Sequence, residues 1–161
     1  MTIKELTDKD FDNFYTLFTN SLTSDFPDYS LRLISHFTNP DYVKRIYSSP
    51  NKYGAFENDM LIGYVVGRPI EGGVFYIFWL EVEKNQRGKG IGTALLEKIE
   101  HEARDIGMHN IQLNAYKHNY HYYESKGYSV LGFDEKSYFG VDMYLMKKPI
   151  QEPNEDAFLN K

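Results

Sequence analysis

The chain has 161 residues, with 23 Asp and Glu against 18 Lys and Arg for a formal charge of −5, and no cysteine. That length favours one domain with a sizeable core, and fourteen Tyr with eleven Phe can fill it although the mean hydropathy is negative. The composition excludes disulfides, thiolate zinc sites and a Cys nucleophile, and it argues against nucleic-acid binding, which needs a basic face. No apolar run approaches the roughly eighteen residues of a membrane span. The opening MTIKELTDKD has no apolar signal core, so a cytoplasmic location is expected.

Residues 2–6 read as a short strand. Thr7-Asp8-Lys9-Asp10 then reads as a capping box, with Leu6 and Phe11 placed as a hydrophobic staple. Phe11, Phe14, Tyr15, Phe18 and Leu22 recur at helical spacing, which predicts a first helix to about Leu22. Residues 25–30, with Pro27, break it. Two further helical pieces follow at 31–37 and 42–47, separated by Asn39-Pro40. Strands at 53–57 and 60–67 flank Asn58-Asp59, a two-residue hairpin turn. Pro69 ends the second of them, and Glu71-Gly72-Gly73 leads into a third, giving an antiparallel meander.

The third strand belongs to the most informative stretch, residues 74–92, VFYIFWLEVEKNQRGKGIG. Its run without charge before Glu81, rich in β-branched and aromatic side chains, suits a strand buried on both faces. A polar turn, Glu83 to Gln86, leads to Arg87-Gly88-Lys89-Gly90-Ile91-Gly92 and a helix. Glycines dense between a strand and a helix let backbone N–H groups converge on an anion at the positive end of the helix dipole. A phosphate cradle is therefore the first functional expectation, against a tight turn that binds nothing. No P-loop string occurs, and the dinucleotide fingerprint fails because Thr93 stands at its third glycine position.

Along the following helix Ile91, Leu95, Ile99, Ala103 and Ile106 form one stripe, with Glu97, Lys98, Glu100 and Arg104 expected to face water. Gly107 is placed for a left-handed cap, with Met108 folding back on the last turn. Residues 110–115 read as a strand parallel to the third, because a helical crossover precedes it. A parallel pair that diverges leaves a ligand cleft at its C-terminal ends. A short helix at 119–126, capped at Gly127, and a closing antiparallel pair at 128–131 and 141–147 complete residues 1–148 as one domain. Residues 149–161 have no periodic apolar pattern and are expected to be a tail, disordered or docked on a partner.

The spacing R-x-x-G-x-G, as Arg87, Gly90 and Gly92 after Leu80-Glu81-Val82, resembles the central motif of the GNAT superfamily of acyl-CoA-dependent N-acetyltransferases. Tyr123-Glu124-Ser125-Lys126-Gly127-Tyr128 is similar to a second stretch of that family, with Tyr123 on its frequently catalytic tyrosine. The resemblance covers roughly residues 53–148. It implies an α/β (α+β) fold: a mixed, mostly antiparallel central sheet with a parallel pair splayed at the cofactor cleft, flanked by helices. It also implies acetyl-CoA as co-substrate. Backbone N–H groups of Gly88, Lys89, Gly90, Ile91, Gly92 and Thr93 would ring the pyrophosphate, with Arg87 and Lys89 adding charge and the Thr93 hydroxyl in the first turn. Leu80 and Val82 would pair with the pantetheine arm, the Val82 N–H lying near the acetyl carbonyl.

By the same resemblance Tyr123 would protonate the departing thiolate; the alternative is a core tyrosine, one of fourteen in the chain. The family often has an Asn seven residues earlier that contacts the cofactor. That slot holds Tyr116, with Asn114 and Asn119 on either side, and Asn119 is the candidate replacement. Glu81, on the opposite strand face from Leu80 and Val82, is the candidate base or ammonium anchor, the alternatives being ordered water as base and a partly solvated carboxylate. His118 and His121 lack a third ligand at recognisable spacing, so no metal is expected.

The expected function is transfer of an acetyl group from acetyl-CoA directly to a primary amine of a small molecule or peptide. The alternative is an acyl-CoA-binding sensor or interaction module that transfers nothing. The acceptor would be read from residues 25–47: an acidic lining would point to polyamines or lysine-like amines, an aromatic one to arylalkylamines or peptides. No membrane or nucleic-acid partner is expected, and a homodimer would be in keeping with the superfamily.

Overall fold

In the computed structural model, which describes residues 1–26 and 29–159, the hydrophobic periodicities above become seven strands and six α-helices among the described residues. Chain order is β1 (Thr2–Glu5), α1 (Phe11–Asp25), α2 (Leu31–Phe37), α3 (Pro40–Tyr47), β2 (Asn51–Glu57), β3 (Met60–Ile70) and β4 (Val74–Val82). There follow α4 (Ile91–Asp105), β5 (Asn110–Tyr116), α5 (Tyr120–Glu124), β6 (Ser129–Asp134), β7 (Met143–Pro149) and α6 (Glu155–Leu159). The strands lie in the order β1-β2-β3-β4-β5-β7-β6. Antiparallel ladders join β1 to β2, β2 to β3, β5 to β7 and β6 to β7, whereas β4 and β5 run parallel from Val74↔Asn110 to Ile77↔Leu113. The mixed, mostly antiparallel sheet with one parallel pair is the architecture anticipated.

The chain packs as two compact units, residues 1–67 with 79–99, and residues 68–78 with 100–161. In the first, Asp10 accepts hydrogen bonds from the Thr7 N–H (2.9 Å) and hydroxyl (2.8 Å), and a single 3-10 turn then opens α1. The helix runs three residues past Leu22, to Asp25. Its buried Phe14 and Phe18 lie against Tyr64 of β3, with ring centroids 4.5 and 6.4 Å apart. The β2–β3 hairpin turns through Asn58 and Asp59, both at positive φ (49° and 63°), as a type I′ turn requires. Pro69 does not end β3, which continues to Ile70. The β2 ladder stops at Asn51↔Gly67, so on that side Pro69 removes no hydrogen bond.

In the second unit Phe75, Ile77, Ile111, Leu113, Ala115 and Met146 are buried. β4 is not buried on both faces as its composition implied, because Phe78 is 39% exposed. Tyr76 and the Arg68 guanidinium share that face, 5.2 and 5.1 Å from the Phe78 ring, and supply contacts that make an open aromatic tolerable. The Gly107 cap forms as expected. Gly107 has φ 82°, its N–H reaches the Arg104 carbonyl, and the Met108 N–H reaches that of Ala103.

Glu100 corrects a second expectation. Only 4% exposed, it accepts hydrogen bonds from the Tyr128 hydroxyl (3.0 Å) and Lys148 Nζ (2.7 and 2.9 Å). A carboxylate in the water-facing half of the helical wheel is thus drawn inside by two donors that are distant in sequence. Residues after 148 lie on the end of α4: Gln151 donates to the Met108 carbonyl (2.8 Å), and Arg104 Nε donates to that of Ile150 (3.1 Å). Ala157 fills the space beside Gly107, where an added Cβ would come within 2.4 Å of it.

Candidate functional site

The strand-to-helix turn sits in the first unit. Gly88 and Gly90 have φ of 78° and 82°, which L side chains rarely adopt, and an added Cβ at either would meet no heavy atom within 4 Å among the described residues beyond its own chain neighbours. The backbone here is bent into a left-handed form with room left in front of it. The Ala94 N–H makes the first α4 bond, to the Gly90 carbonyl (3.0 Å). The first turn of a helix leaves its earlier N–H groups without intrahelical carbonyls, so those of Ile91, Gly92 and Thr93 are directed at whatever occupies the open side. The turn therefore fits a pyrophosphate. Lys89 is exposed, its ammonium donating to Gln86 Oε1 (2.7 Å), and its flexible stem can turn toward an anion.

Arg87 is differently placed. Its Nε donates to the Val82 carbonyl (2.9 Å), and its Nη2 pairs with both Glu81 Oε1 (2.8 Å) and the Asp25 carboxylate. The guanidinium is thus held by carboxylates at the end of β4 and the end of α1. Glu81 also accepts from the Val82 N–H (3.1 Å), the group expected near an acetyl carbonyl. Burial pushes the Glu81 carboxyl above its usual range, and Arg87 only partly offsets this. Although burial also acts on Asp25 to raise it, hydrogen bonds from Arg87 and Ser24 hold Asp25 below the usual range. Leu80 is half-buried beside this group.

Two steps before Glu81, on the same strand face, Trp79 meets Phe18, Phe26 and Phe37 edge-on, with centroids 4.9, 6.5 and 6.3 Å away. Residues 25–47 therefore bring Glu81 and its strand both an acidic neighbour, Asp25, and an aromatic set. Sequence reasoning missed Asp25. It lies 62 positions before Arg87, and no local pattern marks it.

Tyr123 belongs to the second unit. It is 7% exposed, and its ring lies edge-on to Tyr122 (5.2 Å) and Tyr128 (5.8 Å). Its carbonyl accepts the Tyr128 N–H (3.1 Å) beyond Gly127, whose φ is 87°, so the cap of α5 fixes the tyrosine backbone. Asn119 precedes that helix, with its Oδ1 buried and without a hydrogen-bond partner among the described residues. His121 pairs with exposed Glu124 (2.7 Å), and His118 stacks on Tyr116 (5.5 Å). Among the described residues no group of three or more His, Asp or Glu could hold a metal, and no helix is long and apolar enough to cross a membrane.

The family model described as Acetyltransferase (GNAT) family matches residues 11–128. Among solved structures, the PaiA N-acetyltransferase from Thermoplasma acidophilum in complex with coenzyme A superposes with a TM-score of 0.77 at 21% identity, over 92% of this chain and 98% of that one. An aminoglycoside 6'-N-acetyltransferase complexed with coenzyme A gives 0.75 at 20% identity, over 96% and 99%. The ribosomal-protein-S18-alanine N-acetyltransferase from Escherichia coli gives 0.72 at 19% identity, over 96% and 97%. At such identities these likenesses establish the fold.

Proposed function

From the premise that the chain belongs to the GNAT acetyltransferase family, we propose that it moves an acetyl group from acetyl-CoA directly to a primary amine of a small molecule or peptide. The observation that carries this reading is the open, left-handed turn at Gly88 and Gly90 in front of the α4 N-terminus, a cradle for the pyrophosphate. Coenzyme A-bound relatives of the same fold support the choice of ligand. The absence of cysteine leaves no thiol for an acyl-enzyme and accords with direct transfer in the cytoplasm.

Acetyl-CoA supplies the activated acetyl thioester. The backbone N–H groups of residues 88–93, with Lys89 and the Thr93 hydroxyl, hold its pyrophosphate, and Leu80 and Val82 present backbone groups to its pantetheine arm. Asn119 offers its amide as a further polar contact. Glu81 takes a proton from the acceptor ammonium, a task for which burial suits it by keeping its carboxyl basic. As Glu81 turns to the amine it releases the Val82 N–H to the acetyl oxygen. The amine nitrogen bonds to the acetyl carbon as the carbon–sulfur bond breaks; Tyr123 donates its phenolic proton to the leaving sulfur, and the second proton shed by the acylated nitrogen restores the phenol. Asp25 and the aromatics around Trp79 favour an acceptor that joins a cationic amine to an apolar body, such as an arylalkylamine or a peptide N-terminus.

Thiol release from acetyl-CoA, measured against polyamines, arylalkylamines, aminoglycosides and peptides, tests the proposal. Release is expected with at least one amine, and Tyr123→Phe should lower kcat by about a hundredfold. Release with none of these classes would favour a binding module instead. Unchanged turnover in Tyr123→Phe at saturating acetyl-CoA would return that residue to the core.

A further inference from the structure

Glu81 does not have Arg87 to itself. One guanidinium faces two carboxylates, whose side chains are 11% and 14% exposed for Glu81 and Asp25, so the three groups together carry a net negative charge. The arrangement is held at each corner. Arg87 Nε is tied to the Val82 carbonyl, Glu81 to the Val82 N–H, and Asp25 Oδ1 accepts from the Ser24 hydroxyl (3.0 Å). Asp25 stands at the last position of α1, an end where a carboxylate is unfavourable toward the helix dipole and needs another partner. Arg87 is that partner.

We propose that Asp25 is a positioning residue for Glu81, acting through Arg87: it takes up part of the guanidinium charge, so that Glu81 stays incompletely neutralised and able to accept a proton. The proposal rests on the reading of Glu81 as the amine base. The groups acting on Glu81 are Arg87 from the turn, Asp25 from α1, the buried Tyr64 phenol from β3 and the Val82 N–H, and Lys84 acts in turn on Asp25. Arg87 is the cation that touches Glu81, whereas Lys84 acts on Asp25, so how the Arg87 charge is shared sets how readily Glu81 ionises.

The sign of each change follows. Asp25→Asn removes a negative neighbour and leaves Arg87 wholly to Glu81, and both effects favour the carboxylate. Arg87→Gln leaves two carboxylates without their cation and favours the protonated form. A residue that merely ties α1 to the turn would lower the melting temperature in both variants without opposite displacements of the Glu81 titration.

The experiment is a pH titration of the carboxyl 13C resonances of the full chain, with Glu81 assigned by its loss in Glu81→Gln. The Glu81 midpoint is expected to fall by about one unit in Asp25→Asn and to rise by about one unit in Arg87→Gln. Asp25→Glu should restore the wild-type midpoint, and Asp25→Ser, a second neutral variant, should repeat the fall should the Asn variant not fold. With an amine that is turned over, the acid limb of kcat/KM should move in the same directions. An unmoved or raised midpoint in the neutral Asp25 variants overturns the role of Asp25, whatever the activity. Absence of turnover with every amine overturns the transfer reading instead, and the titration still decides whether Asp25 acts on Glu81.

Discussion

Glu81 lies at the end of β4 with its side chain 11% exposed and its carboxyl pushed above the ordinary value of 4.5, chiefly because loss of solvent penalises the charge. A group whose pKa is raised on folding favours the folded state while protonated, and this contribution is lost as pH rises from the unfolded pKa through the folded one. Once ionised, Glu81 is therefore a net cost to the fold, which the proposed role as proton acceptor would justify. Glu81→Gln leaves Arg87 paired with Asp25 alone, a neutral couple. The variant is expected to melt no lower than wild type at pH 7, and to lose any advantage in acid, where the wild-type carboxyl is itself protonated. Melting curves at both pH values check this, and a lower melting temperature at pH 7 would mean that Glu81 is chiefly structural.

At the scale of elements, α4 carries opposite demands at its two ends. Its N-terminus leaves backbone N–H groups to an open side, whereas its later turns are pinned by buried Glu100 to Tyr128 and Lys148. Gly90→Ala separates binding from folding. The left-handed φ makes the substitution cost about 1–2 kcal/mol in the free chain. Among the described residues beyond its chain neighbours none lies within 4 Å of the added methyl, so no clash with them enlarges that cost. The methyl instead occupies the space proposed for the pyrophosphate. The expected result is a drop of a few degrees in melting temperature with an increase of at least tenfold in KM for acetyl-CoA. An unchanged KM would remove the cradle from the reading. The turn was legible in the sequence because its signal is local: strand, glycines at fixed spacing, helix. The same holds for the Thr7–Asp10 box, the Asn58-Asp59 hairpin and the Gly107 cap. Glu100 and Asp25 were not legible. Each takes its role from partners 48 or 62 positions away, and helical periodicity shows only which side of the helix a residue occupies.

At the scale of the whole molecule, the formal charge of −5 acts differently on the two substrates proposed. An aliphatic primary amine acceptor is a cation at neutral pH, while acetyl-CoA is a polyanion. The long-range field therefore attracts the acceptor and opposes the donor, which binds through short-range N–H groups and Lys89. Raising the ionic strength from about 0.01 to 0.15 M shortens the screening length from roughly 30 to 8 Å and suppresses the long-range part while leaving close contacts largely intact. The kcat/KM for a multiply charged amine is expected to fall over this range, more steeply than for a monoamine of the same skeleton. The KM for acetyl-CoA should stay level or fall, because added salt relieves repulsion. Opposite salt responses of donor and acceptor would show that the acidic surface helps to select a cationic acceptor. Parallel responses would reduce the net charge to a determinant of solubility and leave the choice of acceptor to Asp25, Glu81 and the aromatic set around Trp79.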